Sequence, residues 1–134
     1  MKTAAELLEA YLHHVQDARV ASELFAPDGA IELPYLDTLG YPWRAEGPKE
    51  IQKFLENILS LFADFKFHST KIFIDLPDQV FGEYEVTTTV KENGKAMHQL
   101  YMGRLVAENG KIKLLREALN TVSTLRAFSP DEEN

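Results

Sequence analysis

The stretch Ala96-Met97-His98-Gln99-Leu100-Tyr101-Met102-Gly103-Arg104-Leu105-Val106-Ala107-Glu108-Asn109-Gly110-Lys111-Ile112-Lys113-Leu114-Leu115-Arg116-Glu117-Ala118-Leu119-Asn120 decides the architecture. Two runs of alternating apolar positions flank Asn109-Gly110, and Asn-Gly readily supplies the two left-handed residues of a tight hairpin turn. Moving outward, Asn93-Gly94 and Pro77-Asp78 punctuate the upstream chain in the same way. The pattern predicts strands over Phe65 to Leu76, Val80 to Lys91, Ala96 to Ala107 and Lys111 to Thr121, joined as an antiparallel meander. Residues 123–134, with Asp131-Glu132-Glu133, read as a polar acidic tail.

Before Phe65 the period is helical. Thr3 and Glu6 have the spacing of a capping box, and Leu7, Leu8, Tyr11, Leu12 and Val15 form one apolar stripe behind it. Asp17 can cap a second helix that buries Val20, Ala21, Leu24 and Phe25. Pro27-Asp28-Gly29 predicts a turn, Ala30 to Tyr35 a short strand, and Leu36 to Glu46 a loop. Gly47-Pro48 then opens a third helix with Ile51, Phe54, Leu55, Ile58 and Leu59 on its apolar face. Helices followed by a long meander make an α+β fold: three N-terminal helices packed in a strongly curved, mostly antiparallel sheet. Such a sheet closes into a cone with a hollow, and residues 1–134 form one domain. Leu114, Ala118 and Val122 are expected on the outer face, which points to a homodimer.

Composition narrows the function. The chain has 134 residues, no cysteine and a formal charge of −7. Thiolate metal sites and disulfides are therefore excluded, and an acidic surface disfavours nucleic acid and anionic membranes as partners. No apolar run nears the roughly 20 residues that cross a bilayer. The N-terminus turns acidic at once, unlike a secretory signal, so a cytoplasmic location is expected. His13 and His14 are adjacent and point to different sides of a helix, and His68 is remote in sequence. No metal constellation, phosphate cradle, nucleophile elbow or dinucleotide fingerprint emerges, so neither metal nor cofactor is expected.

Two stretches carry a family resemblance. Leu24-Phe25-Ala26-Pro27-Asp28-Gly29-Ala30-Ile31-Glu32-Leu33-Pro34, then Gly47 and a helix with Ile51 and Phe54, is similar to the front of SnoaL-like polyketide cyclases and ketosteroid isomerases. Gly110 to Asn120, then Leu125-Arg126-Ala127, resembles the end of the phenazine-biosynthesis A/B proteins. Together they resemble the nuclear transport factor 2-like superfamily over nearly the whole chain. The resemblance implies a cone fold with an internal small-molecule pocket. It places a pocket tyrosine at Tyr11 and a pocket glutamate at Glu117. The ketosteroid isomerase base and second acid fall on Leu33 and Met102, so steroid-type proton shuttling at those positions is ruled out. The histidine and serine of the phenazine-type site fall on Phe54 and Ile58.

Glu117 is accordingly the foremost candidate acid/base, because a carboxyl group among apolar neighbours titrates nearer neutrality. The alternative is an ion-paired or hydrogen-bonded glutamate, with Arg104, Arg116 or a tyrosine as partner. His98 shares alternation parity with Leu100, Met102 and Arg104, the set assigned to the interior; it is either an assistant to Glu117 or a solvated rim residue. Tyr11 is either a hydrogen-bonding assistant or a core aromatic. Leu33, Tyr35, Trp43, Phe54, Ile58, Met102, Arg104, Leu115 and Leu119 complete the expected pocket. The loop bearing Tyr35 and Trp43 is either a lid over the mouth or a cover for a dimer edge. The resulting expectation is a cofactor-independent isomerase, cyclase or condensing enzyme. It would work by general acid/base proton transfer on a small apolar or aromatic metabolite. The alternative is a ligand- or partner-binding dimeric module without chemistry, or a dimer whose cavity is packed shut.

Overall fold

The computed structural model describes residues 1–130. Its N-terminal signals form as the sequence requires. Thr3 Oγ1 accepts from the Glu6 amide at 3.2 Å, and the Thr3 amide donates to Glu6 Oε1 at 3.0 Å, opening α1 (Ala4–His14). Asp17 accepts from the Val20 amide at 3.1 Å and caps α2 (Ala18–Ser22). After β1 (Phe25–Glu32), a 3-10 helix (Pro34–Leu39) and β2 (Arg44–Glu46), Gly47 at φ 83° and Pro48 start α3 (Pro48–Leu61). Then come β3 (Phe62–Ala63), β4 (Phe67–Leu76), β5 (Gln79–Val90), β6 (Ala96–Glu108), β7 (Lys111–Ala118) and α4 (Thr121–Phe128).

The strands form a strongly curled sheet in the order β2-β1-β7-β6-β5-β3, with β4 also paired to β5. Among the described residues, only β1 and β7 run parallel. The apolar stripes of α1 and α3 bury Leu7, Leu8, Tyr11, Ile51 and Leu55 against inward residues of the sheet such as Ile31, Val80, Leu105 and Leu115. No helix of the described residues is long and apolar enough to cross a membrane.

Three local expectations are corrected. Pro27-Asp28-Gly29 does not interrupt the chain as a turn. Those residues lie inside β1, where a register shift between Phe25 and Ala30 absorbs them as a bulge against β7. The strand then stops at Glu32, because Pro34 opens the 3-10 helix that takes in Tyr35.

The final strand ends at Ala118, and residues expected as tail form α4. Asn120 Oδ1 accepts from the amides of Val122 and Ser123 at 3.0 and 3.2 Å, a helix cap legible in the sequence only once a strand end precedes it. Asp131-Glu132-Glu133 lie outside the described residues.

The third correction decides the site. From the pair Glu108–Lys111, an unbulged hairpin would set Arg104 opposite Leu115 and Met102 opposite Glu117. The observed ladder shifts by one residue between Val106 and Ala107, so Leu105 faces Leu115 and Gly103 faces Glu117. Because strand side chains alternate, this single extra residue turns the whole of β6 over. Met97, Gln99, Tyr101, Gly103 and Leu105 point inward, while His98, Leu100, Met102 and Arg104 point out.

Candidate active site

Glu117 sits on the inward face of β7 beside Leu115, at 3% exposure. One carboxylate oxygen accepts a hydrogen bond from the Tyr84 hydroxyl on β5. The strand between them makes this contact possible. Gly103 lies opposite Glu117, and a Cβ there would stand 2.9 Å from Tyr84 Cζ and closer still to the hydroxyl. Tyr84 stacks on Tyr101 with centroids 5.8 Å apart and planes at 16°. The edge of Phe67 packs on both, at 5.2 and 5.6 Å.

Glu117 looks into a two-part cavity. A narrow inner end of about 20 Å³ is lined by Glu117, Tyr11, Tyr101, Phe65 and Phe67 together with apolar residues of α3. An outer chamber of about 280 Å³ is walled by Phe62, Met97, Leu119 and Phe128, with Leu36, Tyr41 and Pro42 from the loop after β1. Leu33, Phe54, Ile58 and Tyr101 border both parts. The described residues lining the cavity include no lysine, arginine or histidine; its acids are Glu117 inside and Glu92 in the outer part.

Burial pushes the Glu117 carboxyl up to about 7, against the downward pull of the Tyr84 hydrogen bond. Burial, then the Glu117 charge, raises the phenols of Tyr11 and Tyr84 well above their usual value, and Tyr101 shifts the same way for the same reasons. The three phenols therefore stay protonated near neutrality while Glu117 exchanges its proton there, the condition for a general acid/base. No cluster of three metal-ligating side chains forms among the described residues.

The expected site residues divide. Tyr11, Leu33, Phe54, Ile58, Leu119 and Glu117 line the cavity. Leu115 is core beneath it. His98 lies on the outer face, 56% exposed, with Nε2 2.9 Å from Glu85 Oε1. Met102 is 43% exposed. Arg104 donates to Gln79 Oε1 at 2.6 Å, and Arg116 pairs with Glu32, so neither partners Glu117. The bulge explains all three outward residues on β6. Tyr35 is exposed and Trp43 half-buried, and neither reaches the cavity; their neighbours Leu36, Tyr41 and Pro42 do.

Sequence reasoning missed Tyr84, Tyr101, Phe67, Gln99 and Phe128. Tyr84 and Tyr101 alternate in phase with Val80, Val86 and Leu105, a signal that the reversed parity of β6 concealed. Gln99 is fully buried: its amide donates to Asn120 O and Thr124 Oγ1 at 2.8 Å, and its carbonyl accepts from the Asn120 amide at 2.9 Å. It thereby fixes α4, whose Thr124 and Phe128 complete the outer chamber.

Comparison with known proteins agrees with this fold. A family model described as a SnoaL-like domain matches residues 5–115. An uncharacterised PhzA/B-like protein of Pseudomonas aeruginosa is 31% identical over 116 residues, 84% of this chain and 79% of that protein. The crystal structure of a phenazine biosynthesis-related protein from Pseudomonas aeruginosa superposes with a TM-score of 0.81 at 25% identity, covering 98% of this chain and 90% of the other. A candidate polyketide cyclase from Xanthomonas campestris gives 0.80 at 18% identity, covering 94% and 96%. Further matches are described as nuclear transport factor 2-like or as having a ketosteroid isomerase-like fold, the architecture seen here.

Proposed function

The chain belongs to the SnoaL-like domain family, and from that premise we propose that it is a small-molecule enzyme of the isomerase or cyclase type, working by proton transfer at Glu117. One observation carries this reading: a carboxyl group poised near pH 7 closes the narrow end of an apolar cavity. Ionised, Glu117 can take a proton from a bound substrate; protonated, it can return one. The phenols of Tyr11 and Tyr101 line the same end and can hydrogen-bond the substrate's polar atom, while the outer chamber holds its apolar body. Dry walls strengthen each of these interactions. No cofactor is invoked.

A second reading, a binding module without chemistry, is favoured by Phe54 and Ile58, which leave Glu117 as the cavity's inner titrating group near neutrality. Identification by mass spectrometry of the small molecule that copurifies with the protein separates the two. Incubated with that compound in deuterated buffer, the wild type should convert it or exchange its hydrogens, with a rate inflection near pH 7. Glu117→Gln should bind it without doing either. A wild type that binds the compound yet leaves it unchanged and unexchanged at every pH makes the cavity a binding module.

A further inference from the structure

We propose that the inner end of the cavity receives the ammonium group of a small primary amine whose apolar body fills the outer chamber, and that the site rejects carboxylates. This rests on the cavity being a ligand site, as above, but not on catalysis.

The side chains of Glu117, Tyr11 and Tyr101 are 3%, 2% and 6% exposed, yet neither phenol hydroxyl nor the second carboxylate oxygen has a partner among the described residues. None of these oxygens is sealed, because every fully buried side-chain polar atom of the described residues is hydrogen-bonded. All three side chains line the inner end, where a bound ligand would meet their free oxygens. A primary ammonium has three N–H donors and no acceptor; the free carboxylate oxygen accepts, and each phenol oxygen accepts while keeping its own O–H to donate. Three donors meet three acceptors. A carboxylate would instead bring a negative charge beside Glu117, with no lysine, arginine or histidine among the described residues lining the cavity to receive it.

Size and surroundings agree. An end of about 20 Å³ holds one group about as large as a water molecule, so an ammonium enters and a trimethylated nitrogen does not. The rings of Tyr11, Phe65, Phe67 and Tyr101 surround that point, and aromatic faces attract cations. The formal charge of −7 and Glu92 in the outer chamber favour approach of a cation.

Binding of such a ligand must follow the protonation of Glu117. The titratable groups facing that carboxyl are Tyr11 from α1, Tyr84 from β5 and Tyr101 from β6. From β1, α3 and β4 the inner end receives apolar side chains, among them Ile31, Phe54 and Phe67, and Leu33 joins them from the residue after β1. Calorimetric titration with phenethylamine, phenethyl alcohol and phenylacetate tests the proposal. Phenethylamine should bind tightest at about pH 8 and about tenfold more weakly at about pH 6, where Glu117 must first lose its proton. Glu117→Gln should weaken it at least about tenfold at the higher pH and flatten the pH dependence. The proposal is overturned if the alcohol matches the amine, if phenylacetate binds, if the amine binds better as pH falls, or if none of the three binds. A failed panel with Glu117 still titrating near 7 leaves proton transfer standing on a neutral substrate. A Glu117 that titrates as an ordinary glutamate removes both.

Discussion

Replacing Glu117 by Gln should stabilise the protein above neutrality and change it little in mild acid. The folded chain holds the Glu117 proton up to about pH 7, whereas the unfolded chain releases it around the ordinary value of 4.5. Between those values the native state binds one more proton than the unfolded state, so stability falls as pH rises through the window. Above about 7 both states are ionised and the full cost of the buried charge is present. At 1.36 kcal/mol per pH unit that cost is about 3 kcal/mol. Glutamine is neutral throughout, keeps nearly the same volume and can still accept from Tyr84 through its amide oxygen.

Urea denaturation followed by far-ultraviolet circular dichroism, repeated in steps from about pH 4.5 to about pH 8.5, isolates the effect. Every other titrating group is common to the two proteins, so only the difference between their stabilities matters. The variant's advantage should grow by about 3 kcal/mol across the range, equivalent to roughly 10 °C in Tm for a domain of this size. Parallel curves would mean that Glu117 is no harder to ionise in the folded chain than in the unfolded one, and the acid/base assignment would fall with that result.

Three further outcomes follow from the same geometry. Gly103→Ala drives a methyl group into the Tyr84 hydroxyl and should cost about 1–3 kcal/mol in denaturation. With the Tyr84 hydrogen bond lost, carboxyl NMR should show Glu117 titrating higher still, and an unchanged titration would refute the link. Gln99→Leu strands the backbone N–H of Asn120, leaves its C=O only the Thr124 amide at 3.4 Å, and should cost about 1–3 kcal/mol, with faster amide exchange concentrated in Thr121–Phe128; uniform exchange would deny that Gln99 holds α4. The outward apolar residues Leu100 and Met102, beside half-buried Leu114 and Ala118, suit a second copy of the chain. Met102→Glu should turn a dimer into monomers in sedimentation equilibrium, and a monomeric wild type ends that idea.

The architecture was legible because its signals are local. The Thr3–Glu6 box, the Asp17 cap, Gly47-Pro48 and the two Asn-Gly turns each work within a few residues and survive in the folded chain. Glu117 was legible too, through apolar neighbours on its own strand. The opposite wall was not, because the inward parity of β6 depends on one unpaired residue near Lys113. Both parities of β6 carry apolar side chains, Met97 and Leu105 on one, Leu100 and Met102 on the other, so hydrophobicity alone could not arbitrate. Glycine at 103 was the available clue: it weakens a strand interior unless something must come close, and what comes close is Tyr84. Similarly, α4 was lost because its local cap, Asn120, is legible only once the strand is known to end at Ala118, and the Gln99 contact that anchors it comes from 21 positions away in sequence.

Two departures from ordinary core construction converge on one hydroxyl. A glycine sits mid-strand in β6, and a carboxyl group is buried opposite it on β7, with Tyr84 reaching over the first to the second. Each lowers stability, and together they cost several kcal/mol in a domain whose total is about 5–15 kcal/mol. Neither is required to close the sheet: a leucine at 117 would extend the apolar surface that Leu115 and Leu119 already provide. Local rules broken at a shared point are the usual mark of a functional site. Here that point is where the buried carboxylate and two phenols without a partner among the described residues line a cavity large enough to hold a ligand. The energy withheld from folding is available to a bound molecule that supplies the missing proton or charge, which is why ligand binding and the ionisation of Glu117 must be coupled.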